Sequence, residues 1–356
     1  MSIWEGCEMR LASLIERHEG ALMHKYGARL LPEQRRAMDA IRRCRTTAAG
    51  EVLWQCNGCS HALLSPRSCG HRSCPQCQNH EATQWLDRQR RKLLPVEYFM
   101  VTFTLPAELR PLAWRHQKVL YDLLMTIATG TLKDFGQNDK HLAGELGMTA
   151  VLHTHTRRLD YHPHCHIVVP GGAVDRHRRQ WRKSKDRYLF NGQALGKVFR
   201  ARLLEALGEQ DFKIPTTPSR WVVQCQRVGK GQAALEYLSR YLYRGVISEK
   251  QILCERNDTV TFRYLESKSG QTRTRTVSGA DFLWLVLQHV LPKGFRRVRD
   301  YGFLHGNAKR LLQLVQMTLQ VVIATLKPKE RPVLRCPKCQ APMQFVQAFR
   351  PGWLSG

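Results

Sequence analysis

The stretch YHPHCHIVVPGG, residues 161–172, constrains this chain more than any other. Its polar and apolar residues alternate, and in a β-strand residues two apart share a face. His164 and His166 are therefore expected to project together, while Cys165, Ile167 and Val169 turn into a core on the other side. Pro163 cannot donate to a ladder, so it marks a strand start or an edge. One histidine on a strand is ordinarily a surface residue. Two on one face of a stiff apolar strand form a candidate cation site, because a pair of imidazoles can hold a divalent ion and leave positions open for phosphate oxygens.

The flanking sequence mixes strand and helix patterns. VEYFMVTFTLP (96–106) reads as a strand ending at a proline, and residues 148–172 read as two adjacent strands, the second carrying the histidines. GQALGKVFRARLLEALG (192–208) is helical, SRWVVQCQRV (219–228) is a strand, and residues 259–278 form a hairpin turning at Ser269–Gly270. LLQLVQMTLQVVIATL (311–326) is an amphipathic helix, too short and too rich in glutamine for a bilayer span.

In GQAALEYLSRYLYRG (231–245), Leu235, Leu238 and Leu242 make a core stripe, and Tyr237 and Tyr241 are neighbours four apart on its flank. Arg240 and Arg244 are candidate phosphate contacts. Alone, such tyrosines would be edge-of-core residues. Beside a histidine-held cation they acquire a chemistry. A tyrosine hydroxyl, with a reference pKa of ~10, is a weak nucleophile that needs a polarised electrophile. In line with a phosphodiester it could displace the 3′ oxygen and leave a 5′-phosphotyrosine. Such a step conserves the bond energy and needs no ATP site. GKGQAALE (229–236) does not have the spacing of a phosphate loop.

Twelve cysteines without a secretory signal argue for reduced thiols, metal ligation and a cytoplasmic setting. Cys56 with Cys59, and Cys74 with Cys77, form two C-x-x-C knuckles separated by fourteen residues, the pattern of one structural zinc site. Cys44, Cys69 and His71 are spare ligands for a second zinc. Cys336 and Cys339 make a further knuckle that needs partners from elsewhere or is half a site. Against 29 acidic residues stand 56 Lys and Arg, a net charge of +27, so a polyanion is the expected partner, with nucleic acid before a membrane surface. So few acids also disfavour a carboxylate-triad nuclease. Three segments follow: a zinc-binding domain over 1–92, a catalytic domain over 93–330, and a tail over 331–356 with its C-x-x-C knuckle.

Taken in order, the cysteine cluster ending CPQCQ, then VTFTLP, LHTHTRRLDYHPHCHIVVPGG, KVFRARLLEAL, YLSRYLYRGVIS, VTFRY and LPKGFRRVRDYGFL resemble the two-tyrosine HUH transposases of rolling-circle insertion sequences, the IS91 family, across most of residues 10–345. The resemblance implies an α+β fold, an HUH endonuclease-type antiparallel sheet flanked by helices, with an N-terminal helical zinc-binding domain. It implies that His164 and His166 bind catalytic Mg²⁺ or Mn²⁺, that Tyr237 and Tyr241 are the nucleophiles, and that the partners are single-stranded transposon ends and target DNA, met at the bacterial nucleoid. Cys165 stands where the motif usually has a bulky apolar residue, and Ser73 where a histidine is common. The third metal ligand stays open among Glu236, Gln232 and His162. The alternative, a non-enzymatic zinc-ribbon DNA-binding protein, explains the charge and the knuckles but not H-x-H and Y-x-x-x-Y in one chain.

Overall fold

The computed structural model describes residues 9–77, 79–185, 188–242, 246–266, 269–322 and 333–351. Two helices, α1 (Leu11–Tyr26) and α2 (Pro32–Arg43), open the chain. Pro32 takes the first position of α2, where its missing N–H costs nothing, and the Gln34 side chain accepts from the Leu31 N–H to close that end. Strands β1 (Glu51–Cys56) and β2 (Ala62–Pro66) follow, then α3 (Asn79–Arg90).

The middle of the chain builds the main sheet. It runs through β3 (Tyr98–Thr104), α4 (Arg110–Arg115), α5 (Gln117–Asn138), β4 (Met148–His155) and β5 (Tyr161–Pro170). A small hairpin, β6 (Gly172–Asp175) with β7 (Gln180–Lys183), then leads to α6 (Gly192–Gly208), β8 (Val223–Arg227) and α7 (Gln232–Leu242). After a second sheet of β9 (Ile252–Arg256), β10 (Thr259–Leu265) and β11 (Thr272–Ser278) come α8 (Gly279–Leu287), β12 (Val298–Tyr301), α9 (Lys309–Thr318) and β13 (Met343–Phe349).

The main sheet has the order β12-β4-β5-β3-β8, with every pairing antiparallel and the histidine strand β5 at its centre. Its two faces carry different residues because side chains alternate. Phe99, Val101, Phe103, Ala150, Leu152, Cys165, Ile167 and Val169 face α4, α5 and α6 in a closed core. Each large apolar side chain fully buried there contributes about 1.5–3 kcal/mol. Cys165 belongs to that core, and burial pushes its thiol up to about 12, so the unusual central residue of the histidine motif is a packing group. The opposite face carries Val151 and Val168 and is covered by α3 and α7 through Trp85, Leu235 and Leu238.

The three expected segments are interleaved in space. Helix α1 packs on α8 so closely that a Cβ on Gly279 would stand 2.3 Å from the His18 ring, and Leu14, Ile15, Phe262 and Phe282 share one core. Apolar residues from Val246 to Val290 thus pack with the N-terminal helices. Strand β13 leaves the tail to pair with β1, completing a sheet of order β13-β1-β2. The helix expected over 311–326 begins at Lys309 and stops at Thr318, where Gln320 turns to φ +51°; residues 323–332 lie outside the described part. Among the described residues no helix is long and apolar enough to cross a membrane.

Candidate metal centres and catalytic face

Strand β5 is paired on both sides, and the register determines what surrounds its histidines. On one side His153 of β4 stands directly opposite His164; on the other, Thr102 of β3 stands opposite His166. Directly opposed residues have Cβ atoms ~5 Å apart, so the imidazoles converge. Nε2 of His164 lies 3.1 Å from Nε2 of His166, and one ligand atom from each of His153, His164 and His166 falls within 4.8 Å of the others. A cation with bonds of ~2.1 Å at right angles would separate neighbouring donors by about 3 Å, so the three nitrogens fit a divalent ion with open positions.

The protonation states agree with that role. Nδ1 of His164 lies 2.6 Å from the His162 carbonyl oxygen, so it donates there and leaves Nε2 as a lone-pair donor. Thr102 Oγ1 lies 2.9 Å from Nδ1 of His166 and steers that ring. Burial depresses His164 to about 3 and His166 to about 4, and it holds His153 well below the usual histidine range, with the neighbouring rings adding to the effect. All three are neutral at physiological pH, with lone pairs available to a cation.

None of the three residues left open as third ligand is in this group. Glu236 accepts from Arg90 at 3.0 Å and from Gln232 at 3.0 Å, which occupies both α7 residues away from the imidazoles. His162 Nδ1 accepts from the Arg110 guanidinium at 2.7 Å, so this residue braces the site through its carbonyl and not its ring. His153 supplies the third nitrogen. The signal was present in LHTHTRRLDYHPHCH: folding that segment into a hairpin around residues 157–160 brings His153 onto His164.

Helix α7 lies over the same face. It starts after Gly231, whose φ of +83° and contact with the Tyr98 ring leave no room for a side chain. Leu235 and Leu238 bury its stripe, as the spacing predicts. Tyr237 consequently overhangs the triad, its ring centroid 6.0 Å from that of His166 and 6.2 Å from that of His153. Tyr241 and Arg240 lie one turn further along α7, with side chains outside the described residues, and Arg244 is outside them altogether.

The cysteines sort differently from the linear expectation. The described cysteines are all free thiols, and eight of them form two tetrads. Cys56 and Cys59 meet Cys336 and Cys339, with Sγ–Sγ separations of 3.3 Å (Cys56–Cys339) and 3.7 Å (Cys59–Cys336). Cys74 and Cys77 meet Cys44 and Cys69, with Cys77 3.6 Å from Cys44 and 3.7 Å from Cys69. These gaps are too long for disulfides. They match sulfurs held ~2.3 Å from one tetrahedral zinc, which stand about 3.8 Å apart. Cys56, Cys59, Cys74 and Cys77 do not gather at one point but fall into these two groups, because the β1–β2 turn faces the returning C-terminal segment while the second knuckle faces the end of α2. Cys44 and Cys69 are ligand candidates as expected, but His71 is not: its Nδ1 accepts the Ser73 N–H at 3.2 Å within the knuckle turn. Thiols this crowded shift one another, and hydrogen bonds from Cys69 and Cys74 bring Cys77 down to about 2.

The described residues thus offer a histidine triad under a tyrosine-bearing helix and two cysteine tetrads, in a strongly basic chain. Residues 147–311 match the family described as "Putative transposase", of the Y2 type, and residues 14–105 match the family described as "Transposase zinc-binding domain". The chain is 34% identical over 357 residues to "Putative transposase y4qJ" of Sinorhizobium fredii, covering 89% of each chain. It is 30% identical over 282 residues to the transposase for insertion sequence element IS801 of Pseudomonas savastanoi pv. phaseolicola, covering 73% of this chain and 68% of that one. This chain belongs to the IS91 family of transposases. A bacterial tRNA(His) guanylyltransferase-like structure aligns at a TM-score of 0.20 and 12% identity, over 59% of this chain and 98% of that one, and at that score carries no argument.

Proposed function

We propose that this transposase cleaves and rejoins single-stranded transposon ends by tyrosine transesterification, with Tyr237 and Tyr241 as the two nucleophiles. The observation that carries the reading is the overhang of Tyr237 about the histidine triad, with ring centroids near 6 Å. That spacing sets the Tyr237 ring against the imidazoles that would hold the cation. A divalent cation, Mg²⁺ or Mn²⁺, held by His153, His164 and His166 would draw charge from the scissile phosphate. Tyr237 Oη attacks phosphorus and its proton passes to water, the bond to the 3′ oxygen breaks, and that oxygen takes a proton from water, so the strand is released with a 3′-hydroxyl. The 5′ end stays on the tyrosine as a phosphodiester, which a later 3′-hydroxyl can attack in reverse. Helix α7 carries the second tyrosine one turn away, so two strands can be handled in succession. Thr102, His162 and Arg110 keep the rings oriented while this happens. The thiols are those of a protein working in the reducing cytoplasm, where chromosomal DNA lies.

The test is a denaturing gel of the protein with labelled single-stranded transposon-end DNA and Mn²⁺, comparing wild type with Tyr237→Phe, Tyr241→Phe and the double variant. A covalent protein–DNA band that disappears in the double variant is the expected result. Free cleaved product surviving in the double variant would make water the nucleophile.

A further inference from the structure

Away from the triad, at the β12 edge of the main sheet, a solvent-open cavity of about 1070 Å³ lies between α5, the start of β4, β12 and the first turn of α9. Met148, at this cavity, and His153 are five positions apart on β4, about 17 Å along the strand, and point to opposite faces, so a strand bound at both sites passes round the β12 edge of the sheet. Four cations line it, Lys133, Arg176, Lys309 and Arg310, against one carboxylate, Glu145, which Arg176 engages. Lys133, Lys309 and Arg310 make no ion pair with any described residue. In so basic a chain unpaired cations are common on the surface; here they surround a concave floor that includes Leu146, Met148 and Tyr301.

Two features of the lining run against folding economy. Gly130 sits inside the 22-residue α5, where glycine costs ~1 kcal/mol relative to alanine, yet an added Cβ would meet nothing within 4 Å. No neighbouring side chain demands a glycine there, and the position opens onto the cavity. In addition, α9 begins with Lys309 and Arg310, has no acid in its first turn, and has no capping side chain at Ala308. Two cations at the positive end of a helix repel its dipole unless an anion lies among them.

We propose that this cavity holds a phosphate-bearing unit of the DNA strand, a few nucleotides removed from the cleaved phosphate, with Lys133, Lys309 and Arg310 on the phosphate and the apolar floor against its sugar or base. A free nucleotide offers the same chemistry, and the experiment separates the two. The site anchors the strand whether or not tyrosine chemistry occurs, so it is assayed by binding alone, on the Tyr237→Phe background.

Fluorescence anisotropy would follow a labelled mixed-sequence single-stranded oligonucleotide across a series of salt concentrations. Replacing Lys133, Lys309 and Arg310 by alanine should weaken binding and flatten the slope of log affinity against log salt by about 2, since each lost phosphate contact to a single strand removes ~0.7. Gly130→Leu, which fills the space and removes a glycine from a helix, should weaken binding with its melting temperature unchanged or raised. The proposal is overturned if the triple variant keeps the wild-type affinity and slope. It is equally overturned if deoxyadenosine monophosphate raises the melting temperature of wild type but not of the triple variant while their DNA affinities agree, because the cavity would then take a free nucleotide.

Discussion

Replacing Cys336 and Cys339 together by serine is the perturbation that most sharply separates the folded arrangement from the linear one. Strand β13 is seven residues long and only Met343 in it is fully buried; the ribbon core around it contains just Cys56, Cys336 and Met343 as buried members. Fixing seven backbones costs ~7–14 kcal/mol at 1–2 kcal/mol per residue. Against this, burying Met343 contributes about 2 kcal/mol. The six residue partners with β1 add ~6 kcal/mol at ~1 kcal/mol for each hydrogen bond. The strand is thus close to balance by itself, and a structural zinc, with an apparent binding free energy of ~10–16 kcal/mol, decides whether it stays. Metal analysis of the purified protein should find two zinc ions per chain in wild type and one in the double variant. Hydrogen exchange should show β13 and β1 losing protection while the main sheet keeps it. A wild-type protein holding a single zinc, or a double variant that still holds two, would refute the tetrad assignment and the reasoning behind it.

Three further outcomes are expected. Thr102→Val removes the hydroxyl 2.9 Å from Nδ1 of His166 with little change in volume; Mn²⁺ affinity by titration should fall about 10–100-fold, and an unchanged affinity would show that the ring is held by packing alone. His289 is fully buried and burial depresses it to about 3, so the unfolded chain, with its histidine at 6.5, takes up the proton first as pH falls. Stability from this group is intact above pH 6.5 and declines below it by ~1.4 kcal/mol per pH unit; His289→Gln should lose that much of the slope in urea titrations between pH 6.5 and 4.5, and an identical slope counts against the assignment. Gly302→Ala forces a residue at φ +59° to carry a Cβ 1.7 Å from the Leu146 carbonyl oxygen, so the variant should be destabilised by at least ~2 kcal/mol in the same titration.

The parts of this site legible in the sequence are those governed by local periodicity. Alternation along a strand determined that His164 and His166 share a face, and helical spacing determined that Leu235 and Leu238 are buried with Tyr237 on their flank. A C-x-x-C turn brings its own two sulfurs together whatever the rest of the chain does, so each knuckle was readable as a ligand pair. Charge counting pointed to a polyanion for the same reason: it needs no coordinates.

What only the tertiary structure decided is which of these local units meet. Cys59 and Cys336 are 277 residues apart, and Cys44 and Cys77 are 33 apart, yet both pairs close. Loop-closure entropy grows so slowly with length that the sequence gap between knuckles does not rank their partners. His153 joins His164 and His166 through cross-strand register, a property of two strands together, so the strand bearing H-x-H could not reveal it alone. The chain by itself determined the chemistry each short segment can offer; the packing of β4 on β5, of α7 on both, and of β13 on β1 determined how those offers combine, because contacts between distant segments are chosen by the core they bury in common.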